Sequence, residues 1–431
     1  MRALPVHPEP LWRADFKQRI AVSLWFVPTI FAAVAFVVAY VAVWLDKQID
    51  EPIGARFGLV SDPSTAASFA GTIAAATLAF VAVVFATTLV AIQLAASQYS
   101  PRTVRVFIRS RLTRVTLGLF LATFVFALVI VVSNRSSVSS AKQFAPVLSV
   151  SLLLLLTLGT VFGFLAYLHG VVRLMRVQYL LETIATEGRQ SIDQNFPPLS
   201  AYVEAEPPVV DPDANELSYG GRSGVIAATD LFGLVELCRE HDCWLELTVG
   251  VGEYLGRGTR FAVVHGTGPD ETAVTRFLLI GGERTFVQDS AFGFRQLVDT
   301  AIRALSPAVN DPTTAVQAID RISDLLVAAG SNPDPTGLRI DDAGIVRVKR
   351  QLRGFEALLV LALTEIIRYG ADAPQVVRRL HAVLDELERA LPAERHAAVG
   401  RQRELLEATV ATTMPAPFQS ISSTPDREGL G

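Results

Sequence analysis

The run from Ala66 to Arg105, AASFAGTIAAATLAFVAVVFATTLVAIQLAASQYSPRTVR, carries no charged residue before Arg102. Roughly 20 apolar residues in a helix span the ~30 Å hydrocarbon layer of a bilayer, and a helix satisfies its own backbone groups there. A longer uncharged stretch therefore predicts a membrane helix that tilts or projects beyond the layer. Ser68, Thr72, Ala75, Ala79, Ala82, Ala86, Gln93 and Ser97 recur at spacings of three, four or their sum, which draws a stripe of small and polar groups down one side. Lipid supplies little hydrophobic drive for helices to associate, so small stripes serve close approach and polar groups find partners across the contact. Two readings follow: packing against sister helices of the same chain, or the wall of a pore to which Thr87 would also contribute.

The rest of the chain reads around that helix. Of 431 residues, 51% are hydrophobic, and the charged ones gather in the second half. Ile20 to Trp44, Val115 to Val132 and Phe144 to Leu168 are three further apolar runs. The first is too long for a signal-peptide core and reads as retained. Near the ends of the four spans, one side holds twelve Lys and Arg, from Arg2 to Arg19, Arg102 to Arg114 and Arg173 to Arg189; the other holds Lys47, Arg56, Arg135 and Lys142. By the positive-inside rule both termini face the cytoplasm. A net charge of −4 gives no basic excess for nucleic acid.

The expected fold class is an α-helical membrane protein with four transmembrane helices, followed by a cytoplasmic α+β domain that is mainly helical. Its expected divisions are an amino-terminal tail at 1–19, the membrane domain at 20–170, a linking helix at 171–198, a small αβ unit with a β-sandwich-like segment at 199–282, a helical domain at 283–412 and a disordered tail at 413–431. Within the αβ unit, strands are expected over Ser223–Thr229, Cys243–Val249 and Arg260–His265, with a helix capped by Asp230. Helices are expected over Asp270–Leu279, Ser290–Leu305, Pro312–Ala329, Leu352–Arg368, Pro374–Leu391 and Ala393–Thr412, with a hairpin near Leu338–Val348.

Candidate chemistry is sparse. Gly250, Gly252, Gly256 and Gly258 precede a strand, where a phosphate loop would open a helix, so β turns explain them better. Cys238 and Cys243 flank His241 without a second ligand pair and read as buried thiols. In Arg295 to Arg321, Arg295, Asp299 and Arg303 share a helix face and can form an ion ladder. Ser306-Pro307 ends that helix, and Asn310-Asp311-Pro312-Thr313-Thr314 opens the next, with Asp311 as N-cap. Capping explains the loop; a ligand held by Asn310, Thr313, the exposed amides and nearby Arg303 is the alternative.

FATTLVAIQLAASQYSPR (Phe85 to Arg102), ERTFVQD (Glu283 to Asp289), ALSPAVNDPTTA (Ala304 to Ala315) and IIRYG (Ile366 to Gly370) resemble the signature stretches of predicted bacterial membrane proteins grouped as domain-of-unknown-function family 2254. Ala308-Val309 and Thr313 stand where that pattern has Gly-Ile and Phe. The resemblance implies the architecture and no particular activity. The expected partners are the lipid bilayer and further copies of the chain, with a small ligand or ion left open; no cofactor and no catalytic set are expected. The expected role is an oligomeric passive channel or transport-like protein gated by its cytoplasmic domain. The alternative is a non-conducting membrane sensor or scaffold.

Overall fold

A computed structural model of the chain describes residues 2–5, 25–48, 63–98, 111–137, 147–206 and 208–422. The chain divides into two compact units, one built from residues 19–97 and 101–176, the other from 1–18, 98–100 and 177–431.

The first unit contains four helices long and apolar enough to cross a membrane: α1 Phe26–Gln48, α2 Pro63–Gln98, α3 Arg111–Ser137 and α4 Val147–Leu174. Each lies where an apolar run predicts it, with ends shifted by a few residues; Ile20 to Trp25 and the connector from Arg102 to Ser110 lie largely outside the described residues. α3 is the most buried of the four and α2 the least. Ala39, Ala42 and Val43 of α1, with Ala70 and Ala74 of α2, meet Phe126, Ala127 and Ile130 of α3 and Leu153 of α4. Small side chains on α1 and α2 let the helices approach, while α3 supplies the volume that fills the gap. A second cluster joins Val84, Leu117, Phe120 and Tyr167, with Phe80 and Phe164 edge to face at 5.2 Å.

Polar groups in this unit are matched across helices. Thr123 and Thr160 hydroxyls meet at 2.7 Å between α3 and α4. The Tyr167 hydroxyl meets those of Thr88 and Thr87 at 2.6 and 3.0 Å and donates to the Val84 carbonyl. Asp46 lies in the last turn of α1 and is buried. Its carboxylate accepts from the Leu148 and Ser149 amides at 2.9 Å and from the Ser149 hydroxyl at 2.5 Å. One helix thus caps the amino terminus of another, where free N–H groups and the helix dipole favour a negative charge.

The second unit is a layered α+β fold. Its larger sheet has seven strands in the order β2-β1-β9-β10-β5-β7-β3; its smaller sheet is β6-β4-β8. The strands are β1 Arg2–Pro5, β2 Val203–Glu204, β3 Asn215–Ser218, β4 Gly224–Thr229, β5 Trp244–Leu247, β6 Tyr254–Leu255, β7 Arg260–His265, β8 Leu278–Gly281, β9 Leu338–Ile340 and β10 Val346–Lys349. Strands β1 and β9 pair in parallel, as do β10 and β5; the other neighbours are antiparallel. The main core lies where Leu245, Leu247, Val264 and Val348 of the larger sheet meet Ile226, Leu255 and Leu278 of the smaller, closed by Leu234, Val235 and Cys238 of α6 Leu231–Glu240. Asp230 caps α6 by accepting from the Gly233 amide at 2.9 Å.

Three elements differ from expectation. The predicted helix over Asp270–Leu279 is a single short turn, α7 Glu271–Thr275, followed by β8, because Leu278–Gly281 completes the pairing of β4. Arg2–Pro5, expected as tail, is a strand whose pairing with β2 and β9 puts residues from both flanks of the four helices into one unit. Within the tail expected to be disordered, Ala416–Ser422 forms α13; 423–431 lie outside the described residues.

The helical layer holds α5 Val177–Asn195, α8 Ser290–Ala304, α9 Pro312–Gly330, α10 Phe355–Gly370, α11 Pro374–Ala390 and α12 Ala393–Thr413. α5, expected as a link, buries Leu180, Leu181, Ile184 and Ile192 as a full member of this layer. It crosses α8 at a glycine pair: a Cβ on Gly293 would stand 2.9 Å from the Gly188 Cα.

We predict that Asp46→Ala costs about 1–2 kcal/mol, the usual range for a lost N-cap, and that Asp46→Asn costs less, read as the unfolding midpoint in detergent. An unchanged midpoint for Asp46→Ala would show that the clamp carries no stability.

Candidate functional site

The stripe on α2 is placed outward. Ser68, Thr72, Ala75, Ala79, Ala82, Ala86 and Gln93 are exposed, whereas Ala66, Ala70, Ala74, Thr77, Val84 and Ala91 are buried. At about 100° per residue the two sets fall on roughly opposite sides of the helix. Among the described residues, no sister helix covers the stripe, which faces outward. Thr87 stands off the stripe and turns to Tyr167, and the side chain of Ser97 lies outside the described residues. The Thr72 hydroxyl donates to the Ser68 carbonyl at 3.0 Å. The outward side of α4 carries bulk instead, with Leu155, Leu158, Phe162 and Leu165 exposed.

In the second unit the Arg295 to Arg321 stretch is a helix–turn–helix made by α8 and α9. Asp311 accepts from the Thr314 amide at 3.0 Å and from its hydroxyl at 2.6 Å, and Pro312 opens α9. The Asn310 amide donates to Ser306 O and the Asp311 amide to Ala304 O, with Asn310 at φ 49°. The capping geometry accounts for these residues; Asn310 and Thr313 side chains are exposed. Of the expected ladder, Arg295 and Asp299 pair at 2.6 Å. Arg295 also forks onto Glu365 of α10, at 2.5 and 2.9 Å. That bond raises the Arg295 pKa and holds the Glu365 carboxyl below the usual range. Gly370 of IIRYG packs on Leu305, so two of the family stretches meet where α8 and α10 end.

ERTFVQD builds a different place. The Thr285 hydroxyl donates to Ala227 O, and the Gln288 side chain exchanges two hydrogen bonds of 3.0 Å with the Thr229 backbone, so side chains of the loop extend the pairing of β4. Arg284 donates to Asp289 through Nε and Nη2 at 2.9 and 3.0 Å; burial still pushes the Asp289 carboxyl up. A cavity of about 70 Å³ lies beside it, walled by Asp289, Gly250, Val251, Glu253 and the stretch Arg350–Arg353. Gly252 sits at φ 87°, and a side chain there would collide with the Asp289 carboxylate. The glycine run thus serves turn geometry and close approach. Gln288 and Asp289 carried a sequence signal in ERTFVQD; Arg350 carried none, because its role depends on which strand lies beside it.

Cys238 and Cys243 are buried free thiols hydrogen-bonded to each other, which together with burial raises Cys238. His241 is exposed, with Nδ1 at 2.9 Å from the Leu237 carbonyl.

Four long apolar helices followed by a sheet-and-helix unit fit a membrane protein of the multi-pass type. The chain matches the family described as Predicted membrane protein (DUF2254) over residues 21–386, and it belongs to that family. Proteins of Mycobacterium bovis and of Mycobacterium tuberculosis strain H37Rv, both described as uncharacterized, are each 27% identical over 401 residues, covering 89% of this chain and 75% of theirs. No solved structure matches.

Gly252→Ala is expected to lower stability by more than about 2 kcal/mol, since it adds a clash to backbone strain. Gly258→Ala, also at positive φ (81°) but with nothing within 4 Å, should cost only about 1 kcal/mol. Equal losses in thermal unfolding would remove Asp289 from the explanation.

Proposed function

We propose that this protein is the protomer of a homo-oligomeric membrane assembly, joined through the outward face of α2, that forms a passive conduit for ions or small solutes gated by its second unit. The observation that carries the reading is the position of the stripe, on the side of α2 that no described helix of its own unit covers. Close approach is what small residues offer in lipid, where no hydrophobic gain is available. Thr72 and Gln93 bring a hydroxyl and an amide to the same side. Residues 64–94 hold no Asp, Glu, Lys or Arg. Titratable groups inside the membrane are the usual parts of a proton-coupled pump, so passive passage fits the helix better. By the Lys and Arg count, both termini face the cytoplasm.

The second reading, a non-conducting sensor or scaffold, is favoured by the polar cavity beside Asp289, which suits a small polar ligand in the second unit.

Two measurements test the assembly and the conduit separately. Ala79→Leu is expected to shift the purified protein in detergent towards the monomer in mass measurement. Gln93→Leu is expected to cut solute flux through reconstituted liposomes several-fold while leaving the mass unchanged. A multimer without flux would leave the scaffold; a wild-type monomer would end the assembly reading.

A further inference from the structure

Two arginines in the second unit are buried together without a counter-ion among the described residues. Arg339 pairs with Val348 across β9 and β10, and the next rung is the Arg350 amide bonded to Gly337 O. Residues opposite one another, and residues two apart on a strand, point to the same face, so Arg339 and Arg350 are diagonal neighbours on one side of the sheet. Both are 7% exposed. The Arg350 Nη2 donates to Asn195 Oδ1 at 2.9 Å, and the Arg339 Nη1 to the Leu338 carbonyl at 2.9 Å. The Arg350 Nε and Nη1 and the Tyr202 hydroxyl are buried and find no hydrogen-bond partner among the described residues.

The nearby carboxylate is already committed: Asp334 accepts from Arg395 at 2.8 and 3.0 Å and from the Phe355 amide at 2.7 Å. The carboxyl end of α5 lends partial negative charge through its dipole, well short of a counter-ion. Burial pulls Arg350 down to about 9 and Arg339 to about 10, so both stay cationic near neutral pH, and burial raises Tyr202, which keeps its proton to donate. A buried charge with unmet donors is among the most expensive arrangements a fold can hold. Guanidinium forks are matched to tetrahedral oxyanions, which take several N–H bonds at once.

We propose that Arg339, Arg350 and Tyr202 form an enclosed binding site for a small oxyanion of the phosphate type, with Asn195 positioning the Arg350 fork. The donors left for it are Nε and Nη1 of Arg350 and the Tyr202 hydroxyl, and Arg339 adds a second positive charge close enough to act on both residues. Enclosure selects a free anion or a small phosphate ester over a bulky ligand. The site stands independently of the assembly proposed for α2.

The test uses the full chain purified in detergent, with radiolabelled inorganic phosphate in equilibrium dialysis and thermal unfolding in phosphate against chloride at equal ionic strength. Phosphate at about a hundred times its Kd should raise the midpoint by about 3–6 °C. Arg350→Met and Arg339→Met should abolish both binding and shift, and Tyr202→Phe, the variant least disturbing to folding, should weaken binding about tenfold. Glycerol 3-phosphate in a parallel arm separates the sources: binding of the ester without inorganic phosphate, lost in the same variants, supports the site and assigns it to an ester. No binding of either, or binding unchanged in Tyr202→Phe and Arg350→Met, would overturn the proposal.

Discussion

Lipid gives a helix no water to bond with and little reason to associate, so the four helices of this protein are held by close approach and by the few polar groups they share. α3 sits at the centre because it carries the bulk, Phe120, Phe126 and Ile130, while α1 and α2 present alanines to it. The polar contacts are placed where helices would otherwise slide. Asp46 locks the end of α1 to the start of α4, Thr123 meets Thr160, and Tyr167 reaches the Val84 turn of α2. α2 satisfies this scheme with one face only. Its opposite face repeats the same small-residue chemistry without a described neighbour in its unit, and the proposed assembly follows from that repetition.

The second unit works by the opposite rule. Its hydrophobic core does the holding, and most of the charge carried inside is matched by opposite charge. Arg295 forks between Asp299 and Glu365, Arg347 between Asp341 and Asp242, and Arg379 between Asp320 and Glu386. Each ties elements distant in sequence, and each arginine has its carboxylates. Arg339 and Arg350 depart from this pattern on the same sheet, and that contrast is what singles them out.

Much of the architecture was legible from the chain alone. Four apolar runs became four helices, Asp230 and Asp311 were readable as caps, and the turn at Ser306 to Pro312 could be anticipated from Pro and Asn placement. What escaped depends on contacts far apart in sequence. Leu278–Gly281 has helix-compatible neighbours and becomes a strand only because β4 offers an edge. Arg2–Pro5 is too short to announce a strand, and its partner arrives more than three hundred residues later. The small-residue stripe was visible, but whether it faced inward or outward was not: Ala70 and Ala79 are the same residue, and only the position of α3 distinguishes them. The contact of Asp46 with the amino terminus of α4 joins residues about a hundred positions apart, which no local pattern announces.

The outward contact of α2 is tested most directly by a cysteine at its centre. Under mild oxidation in native membranes, Ala79→Cys should give a covalent dimer, whereas the wild type, with buried Cys238 and Cys243, and Leu158→Cys on the bulky outer side of α4 should not. If Ala79→Cys stays monomeric, or cross-links no better than Leu158→Cys, the stripe faces lipid and the proposed assembly has no contact to hold it.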